Sequence, residues 1–143
     1  VNEVLSIFTV HAEQKGVQIT KTIPLNHKHF VYADRAKMKE VVINVIDNSI
    51  KYTKEGAINV SVATEKGMMV IKVSDTGVGI EKEVMPSLFK EFSRADLQKV
   101  NILGSGLGLY LAKIFIDAHK GRIWAESEGK GKGAQFYVEL PEA

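Results

Sequence analysis

Between Arg35 and Thr53 the chain writes one helix with two unlike faces. Met38, Val41, Val42, Val45, Ile46 and Ser49 fall in one broad arc, and Glu40, Asn44, Asn48 and Lys51 fall in a narrow arc on another side. Asp34 is a good N-cap, and Gly56 marks the stop. The apolar arc must lie on a second layer, and the rest of the chain supplies one. Alternating patterns predict strands over 17–23, 30–33, 57–64, 68–75, 122–127 and 134–140. Helical spacing predicts further helices over 1–15, 81–89 and 107–119. The expectation is an α/β sandwich in which the helix shows its asparagines to something other than the core.

The 143 residues suffice for one domain and one core, with 45% hydrophobic and 25% charged residues. No boundary divides the chain, so 1–143 is read as a single domain. A net charge of +2 with dispersed basic residues gives no ground for a nucleic-acid partner. Cysteine is absent, which excludes disulfides and thiolate metal sites. No apolar run reaches the roughly 18 residues of a membrane span. The chain opens on Val1 in mid-pattern, as a piece of a longer protein would.

Four segments suggest one ligand. Asparagine is a poor helix former, so Asn44 and Asn48 one turn apart need a reason. A solvated face is one; the other is ligation of a hard cation such as Mg²⁺ by amide oxygens, with Lys51 near phosphates and Tyr52 beside a base. Asp75-Thr76-Gly77-Val78-Gly79-Ile80 follows a strand in which Ile71 and Val73 share the face of Asp75. Such a carboxylate can cap its own turn, or it can accept from the exocyclic amine of adenine. Guanine presents a carbonyl there and would repel it. Gly77 and Gly79 let the chain run close beneath the base, and Ile80 closes the segment. Leu88, Phe89 and Phe92 read as core anchors at the base of a long loop over 93–106. In that loop Arg94 is either an exposed arginine or a guanidinium that reaches a terminal phosphate. Gly104-Ser105-Gly106-Leu107-Gly108 then leads into a helix start, where free N–H groups favour an anion. The segment lacks the preceding strand and spacing of a dinucleotide fingerprint, and no P-loop is present. Gly129 to Gly133 reads as a flexible hairpin connection that leaves room near a base.

The asparagine helix ending Asp47-Asn48-Ser49-Ile50-Lys51-Tyr52-Thr53, then Asp75-x-Gly-x-Gly, then Leu88-Phe89-x-x-Phe92, then Gly-x-Gly-Leu-Gly-Leu resembles the motif series of sensor histidine kinases. The resemblance runs over nearly the whole chain and implies their catalytic, ATP-binding domain. The implied fold is the Bergerat type of the GHKL superfamily. It is an α+β two-layer sandwich, with a mixed, mostly antiparallel sheet of about five strands against three helices on one face. By position, Asn48 would hold Mg²⁺ with Asn44 assisting, Asp75 would bind the adenine amine, and Lys51 and Tyr52 would contact phosphate and base. Gly104, Gly106 and Gly108 would shape a lid. Hydrolysing relatives carry a glutamate base where Asn44 stands. An amide cannot take a proton from water, so transfer is favoured over hydrolysis.

The implied activity is that of a protein-histidine kinase. The γ-phosphoryl group of ATP passes to a histidine on a separate dimerisation domain, with a response regulator downstream. Mg²⁺, Lys51 and Arg94 would neutralise the charge in transit. The phosphoacceptor segment is not in this chain, since His11-Ala12-Glu13-Gln14 does not match it. A second departure is Gly133-Ala134, where the family usually has Gly-Thr. The piece alone is expected to be monomeric and cytoplasmic, its parent homodimeric, with anchoring of the parent in a membrane left open. Two other readings stay open. One is a non-catalytic nucleotide-sensing or protein-interaction module; the other is a serine kinase of the anti-sigma type.

Overall fold

In the computed structural model, which describes residues 1–24, 28–91 and 107–143, the first helix ends and the second begins where capping chemistry dictates. Helix α1 (Asn2–Lys15) stops at Gly16, whose φ of 81° is left-handed and whose N–H returns to the chain at Glu13 O. Strand β1 (Val17–Thr22) follows. Helix α2 (Arg35–Lys51) starts where Asp34 accepts a hydrogen bond from the Lys37 N–H at 3.0 Å. Its C-terminal carbonyls at Ile50 and Lys51 receive the Lys15 ammonium, a cation at the negative end of the dipole.

Strands β2 (Gly56–Glu65) and β3 (Met68–Asp75) form the expected hairpin. Lys66 and Gly67 both turn through positive φ, 51° and 76°, which suits a tight two-residue connection. Helix α3 (Gly108–Ala118), β4 (Arg122–Glu126) and β5 (Ala134–Pro141) complete the described chain. The sheet order is β1-β2-β3-β5-β4. Only β1 and β2 run parallel; the other three neighbouring pairs are antiparallel.

Alternation decides the layers. Ile58, Val60 and Val62 of β2, Met69, Ile71 and Val73 of β3, and Ala134, Phe136, Val138 and Leu140 of β5 are all buried on one face. Val41, Val42, Val45, Ile46 and Ile50 of α2 join them in one core with Leu109, Ala112 and Ile116 of α3. The opposite face carries Thr20, Asn59, Ser61, Lys72 and Gln135, with Trp124 stacked on Tyr137 at 4.9 Å. This is the mixed five-stranded sheet with three helices that the resemblance implies.

Two predicted elements are absent. Residues 30–33 form no strand: Phe30 is 63% and Tyr32 90% exposed while Val31 packs against the core, so the run alternates as expected but pairs with no neighbouring strand. Among the described residues the Phe30 carbonyl accepts from the Ala143 N–H at 2.7 Å, a single tie rather than a ladder. The helix expected over 81–89 is a single 3₁₀ turn, Met85–Ser87. Pro86 lacks the N–H a longer helix needs and disfavours helical geometry at the residue before it.

Candidate functional site

Asp75 is the last residue of β3, paired with Ile58 on one side and Ala134 on the other. The register sets its side chain on the helix-covered face, where it is half-buried. Its Oδ1 accepts from the Gly77 N–H at 2.9 Å and from the Ala134 N–H at 3.1 Å. Both backbone donors thus go to one oxygen, and Oδ2 takes none of them. Burial pushes the carboxyl above its ordinary range, and the N–H groups of Gly77 and Ala134 and the Ser49 hydroxyl oppose that rise. The turn-capping and ligand-binding readings of Asp75 are therefore compatible, one for each oxygen.

The glycine loop after Asp75 is fixed by backbone contacts. A Cβ on Gly77 would lie 2.2 Å from the Tyr52 carbonyl oxygen, and one on Gly79 would lie 2.0 Å from that of Gly129. The Val78 N–H donates to Tyr52 O at 3.0 Å, tying the loop to the end of α2. Gly131 N–H donates to Val78 O at 2.7 Å and Gly133 N–H to Gly77 O at 3.2 Å. The Ser127 hydroxyl accepts from Ile80 N–H at 3.0 Å and donates to Gly133 O at 2.7 Å. The segment 129–133 is therefore a strap that holds the loop, not merely a flexible connection. Sequence reasoning missed Ser127, which looked like an ordinary strand end.

Asn44 and Asn48 are half-buried on one side of α2, and Lys51 is exposed. Lys51 pairs with Asp47 at 2.8 Å. A Cβ on Gly108, at the start of α3, would lie 3.2 Å from Asn44 Oδ1. The structure thus brings the last glycine of the Gly104–Gly108 segment against the asparagine face. Among the described residues no group of three or more His, Asp or Glu gathers to hold a metal. A cation here would draw on amide oxygens and on oxygens of its own ligand, which is how Mg²⁺ is usually held beside phosphates. Ile80 packs half-buried against the core, as do Leu88 and Phe89, the latter edge-on to Phe136 at 6.4 Å. Phe92, Arg94, Gly104, Ser105, Gly106 and the expected lid over 93–106 lie outside the described residues.

Two more groups complete the setting. Ser49 and Thr53, four residues apart, are 0% exposed, and in the rotamers they hold neither hydroxyl completes a hydrogen bond among the described residues. The Thr53 Oγ1 lies 2.8 Å from where a Gly77 Cβ would stand. Helical periodicity had placed Ser49 in the apolar arc; the one available signal was a hydroxyl among valines.

A mixed sheet of this order, covered by three helices on one face, defines the Bergerat class of nucleotide-binding domains. This chain belongs to the family described as histidine kinase-, DNA gyrase B- and HSP90-like ATPases, which it matches over residues 33–143. It is 34% identical over 149 residues to the autoinducer 2 sensor kinase/phosphatase LuxQ of Vibrio vulnificus, covering 98% of this chain and 17% of that protein. It is 35% identical over 135 residues to the sensor histidine kinase WalK of Bacillus subtilis, covering 91% of this chain and 22% of that protein. The chain spans about a fifth of the length of these curated relatives. Its fold matches the nucleotide-free catalytic domain of histidine kinase ThkA with a TM-score of 0.83 and 27% identity, over 99% of this chain and 90% of that one. Among the described residues no helix is long and apolar enough to cross a membrane.

Proposed function

We propose that this chain is the ATP-binding catalytic domain of a two-component sensor histidine kinase, which places the γ-phosphoryl group of ATP before a histidine on a separate helical domain. The observation that carries this reading is the state of Asp75. One carboxylate oxygen is committed to the fold, and the other is left to accept, beneath a loop too close for any side chain. An adenine amine is the donor that suits it. Asp75, Gly77, Gly79 and Ile80 hold the base, with Tyr52 beside it. Asn48 and Asn44 hold Mg²⁺, which supplies charge neutralisation at the phosphates when bound. Lys51, Arg94 and the segment Gly104, Ser105, Gly106, Leu107, Gly108 meet the phosphate chain.

The residues of the chain orient rather than react. Asn44 carries an amide where hydrolysis would need a base, so ATP is held intact for a better nucleophile. In-line placement and neutralised charge then serve the transfer. The response regulator acts after this step and is a partner of the parent protein, a dimer in this reading.

Calorimetry with ADP and Mg²⁺ tests the site. Binding that Asp75→Asn and Asn48→Asp each weaken is expected; unchanged affinity in both sinks the assignment. Labelled ATP, this chain and a histidine-bearing helical domain test the reaction. The expected product is labelled protein whose phosphate is lost in acid and kept in alkali. An acid-stable product would mean a hydroxyl acceptor instead.

A further inference from the structure

We infer that Ser49 is a positioning residue for Asp75: its hydroxyl donates to the carboxylate and fixes which oxygen meets the adenine amine. The inference deepens the nucleotide reading above and rests on it.

Three observations carry it. The Ser49 hydroxyl is buried among Val42, Val45 and Ile46, a place where an apolar side chain would serve packing better. A serine inside a helix commonly returns its proton to the carbonyl one turn back, and this one does not: in the rotamer it holds, its Oγ completes no hydrogen bond among the described residues. A buried hydroxyl left in that state costs stability and calls for a use. The group within its reach is the Asp75 carboxylate: Asp75 lies on the helix-covered face two residues before Gly77, where a Cβ would meet Thr53 Oγ1 four residues on from Ser49, and the hydroxyl favours its ionised form together with two backbone N–H groups. A small rotation about χ1 turns this proximity into a charge-assisted hydrogen bond.

The strand side explains why the helix side matters. β5 offers Asp75 only the Ala134 N–H, because Ala134 has no hydroxyl where the family usually has threonine. Ser49 supplies a hydroxyl from the opposite flank. The groups that face the carboxylate are Ser49 from α2, the Gly77 N–H from the loop and the Ala134 N–H from β5. No ionisable side chain among the described residues contributes to its shift. Lys72 of β3 stands on the other face of the sheet, over Tyr137.

The test is the pH profile of ADP–Mg²⁺ affinity, read by calorimetry from about pH 5 to about pH 8. Wild type loses affinity on the acid side as Asp75 takes a proton. Ser49→Ala removes one donor to the carboxylate, so the loss should begin about one pH unit higher, with affinity about tenfold weaker within that window. At the alkaline end the two proteins should approach each other. Ser49→Thr should keep the wild-type profile, and adding Ala134→Thr to Ser49→Ala should move the profile back. The urea midpoint of ligand-free Ser49→Ala should fall below that of wild type at the alkaline end, where the ionised carboxylate has lost a donor, and close on it in acid. A merely structural serine predicts a midpoint lowered equally at every pH with an unshifted binding profile, and that result overturns the inference. So does a Ser49→Ala profile that superimposes on wild type while Asp75→Asn binds poorly; the nucleotide reading then stands alone. If Asp75→Asn binds ADP as wild type does, both fall together.

Discussion

The two ends of the candidate site are built from different materials. Around Asp75 the contacts are backbone to backbone: Val78 to Tyr52, Gly131 to Val78, Gly133 to Gly77, with glycines wherever the chains approach. Around Asn44, Asn48 and Lys51 the site is made of side chains on the surface of one helix, and among the described residues their one side-chain bond is the ion pair of Lys51 to Asp47. Backbone contacts are part of the fold, so the base end cannot change without the fold changing. Side-chain amides are dispensable to folding, so the asparagine end is free to serve a ligand. Substitutions at the first end should damage stability and binding together, and those at the second should separate them.

The strongest form of this contrast is a pair of glycines with nearly the same backbone. Gly79 and Gly131 have φ of 75° and 77°, so alanine is strained at both. Gly79 would also drive its Cβ to 2.0 Å from Gly129 O, whereas Gly131 meets nothing within 4 Å. Gly131→Ala should cost about 1 kcal/mol, the conformational strain alone. Gly79→Ala should cost about 3 kcal/mol or more, and ADP binding should vanish although glycine offers the ligand no side chain. Urea midpoints of the two variants decide it. Equal losses would mean that the strap over 129–133 yields freely.

Asp75→Asn is the next largest effect, and here the base end divides against itself. Replacing the acceptor-only carboxylate should weaken ADP by about a hundredfold, because a buried group made to receive the amine is then mismatched. Stability should respond in the opposite sense. Burial raises the folded-state pKa of Asp75, so between the unfolded and folded values the native state binds more protons than the unfolded one. Stability attributable to this group therefore falls as pH rises through that window and is recovered on acidification. Wild type should lose ground to Asp75→Asn in urea midpoint as pH climbs from about 4 to about 7. A difference that stays flat across that range would mean the carboxylate is better solvated than its burial indicates.

How much of this could be read from the chain follows the same division. The base end was legible because its requirements are written in residue types: an acid at a strand end, then glycines at fixed spacing. Helix α2 was legible because the apolar arc and the asparagine arc are separate. Ser49 was not, since periodicity reports which face a residue takes and says nothing of an unmet hydrogen bond. The strap was not, because five alternating glycines and lysines look the same whether loose or held by Ser127. The strand expected over 30–33 failed because alternation reports which side chains face the core, as Val31 does, and says nothing of whether a neighbouring strand is there to pair with. Pro86 was visible all along, and giving it more weight would have removed the helix over 81–89.

At the asparagine end, Asn48→Ala should separate binding from folding. The residue is half-buried in the last turn of α2, and alanine is the better helix former, so stability should stay within about 0.5 kcal/mol of wild type or rise slightly. ADP affinity in Mg²⁺ should drop about tenfold, the loss expected for one ligand of a cation that also has phosphate and water. Chelating the metal should weaken wild type by a similar factor and leave the variant nearly where it was. If chelation weakens both equally, Asn48 is not a ligand, and the asparagine face returns to the solvated reading.

The smallest effect belongs to the Asp47–Lys51 pair. The two side chains are 36% and 40% exposed and sit four residues apart with the acid first, the favourable order along a helix. An exposed pair of this kind contributes under about 0.5 kcal/mol, so Asp47→Ala should barely move the urea midpoint. Its interest lies in competition. Asp47 holds the ammonium that the proposed site needs for phosphate, and removing it leaves Lys51 uncommitted. Asp47→Ala should therefore tighten ATP slightly, by less than about threefold at low salt, and the gain should fade near 1 M salt, where the screening length is about 3 Å. Lys51→Ala should weaken ATP more than it weakens adenosine. Were Asp47→Ala instead to loosen ATP, the pair would be holding Lys51 in its working position rather than withholding it.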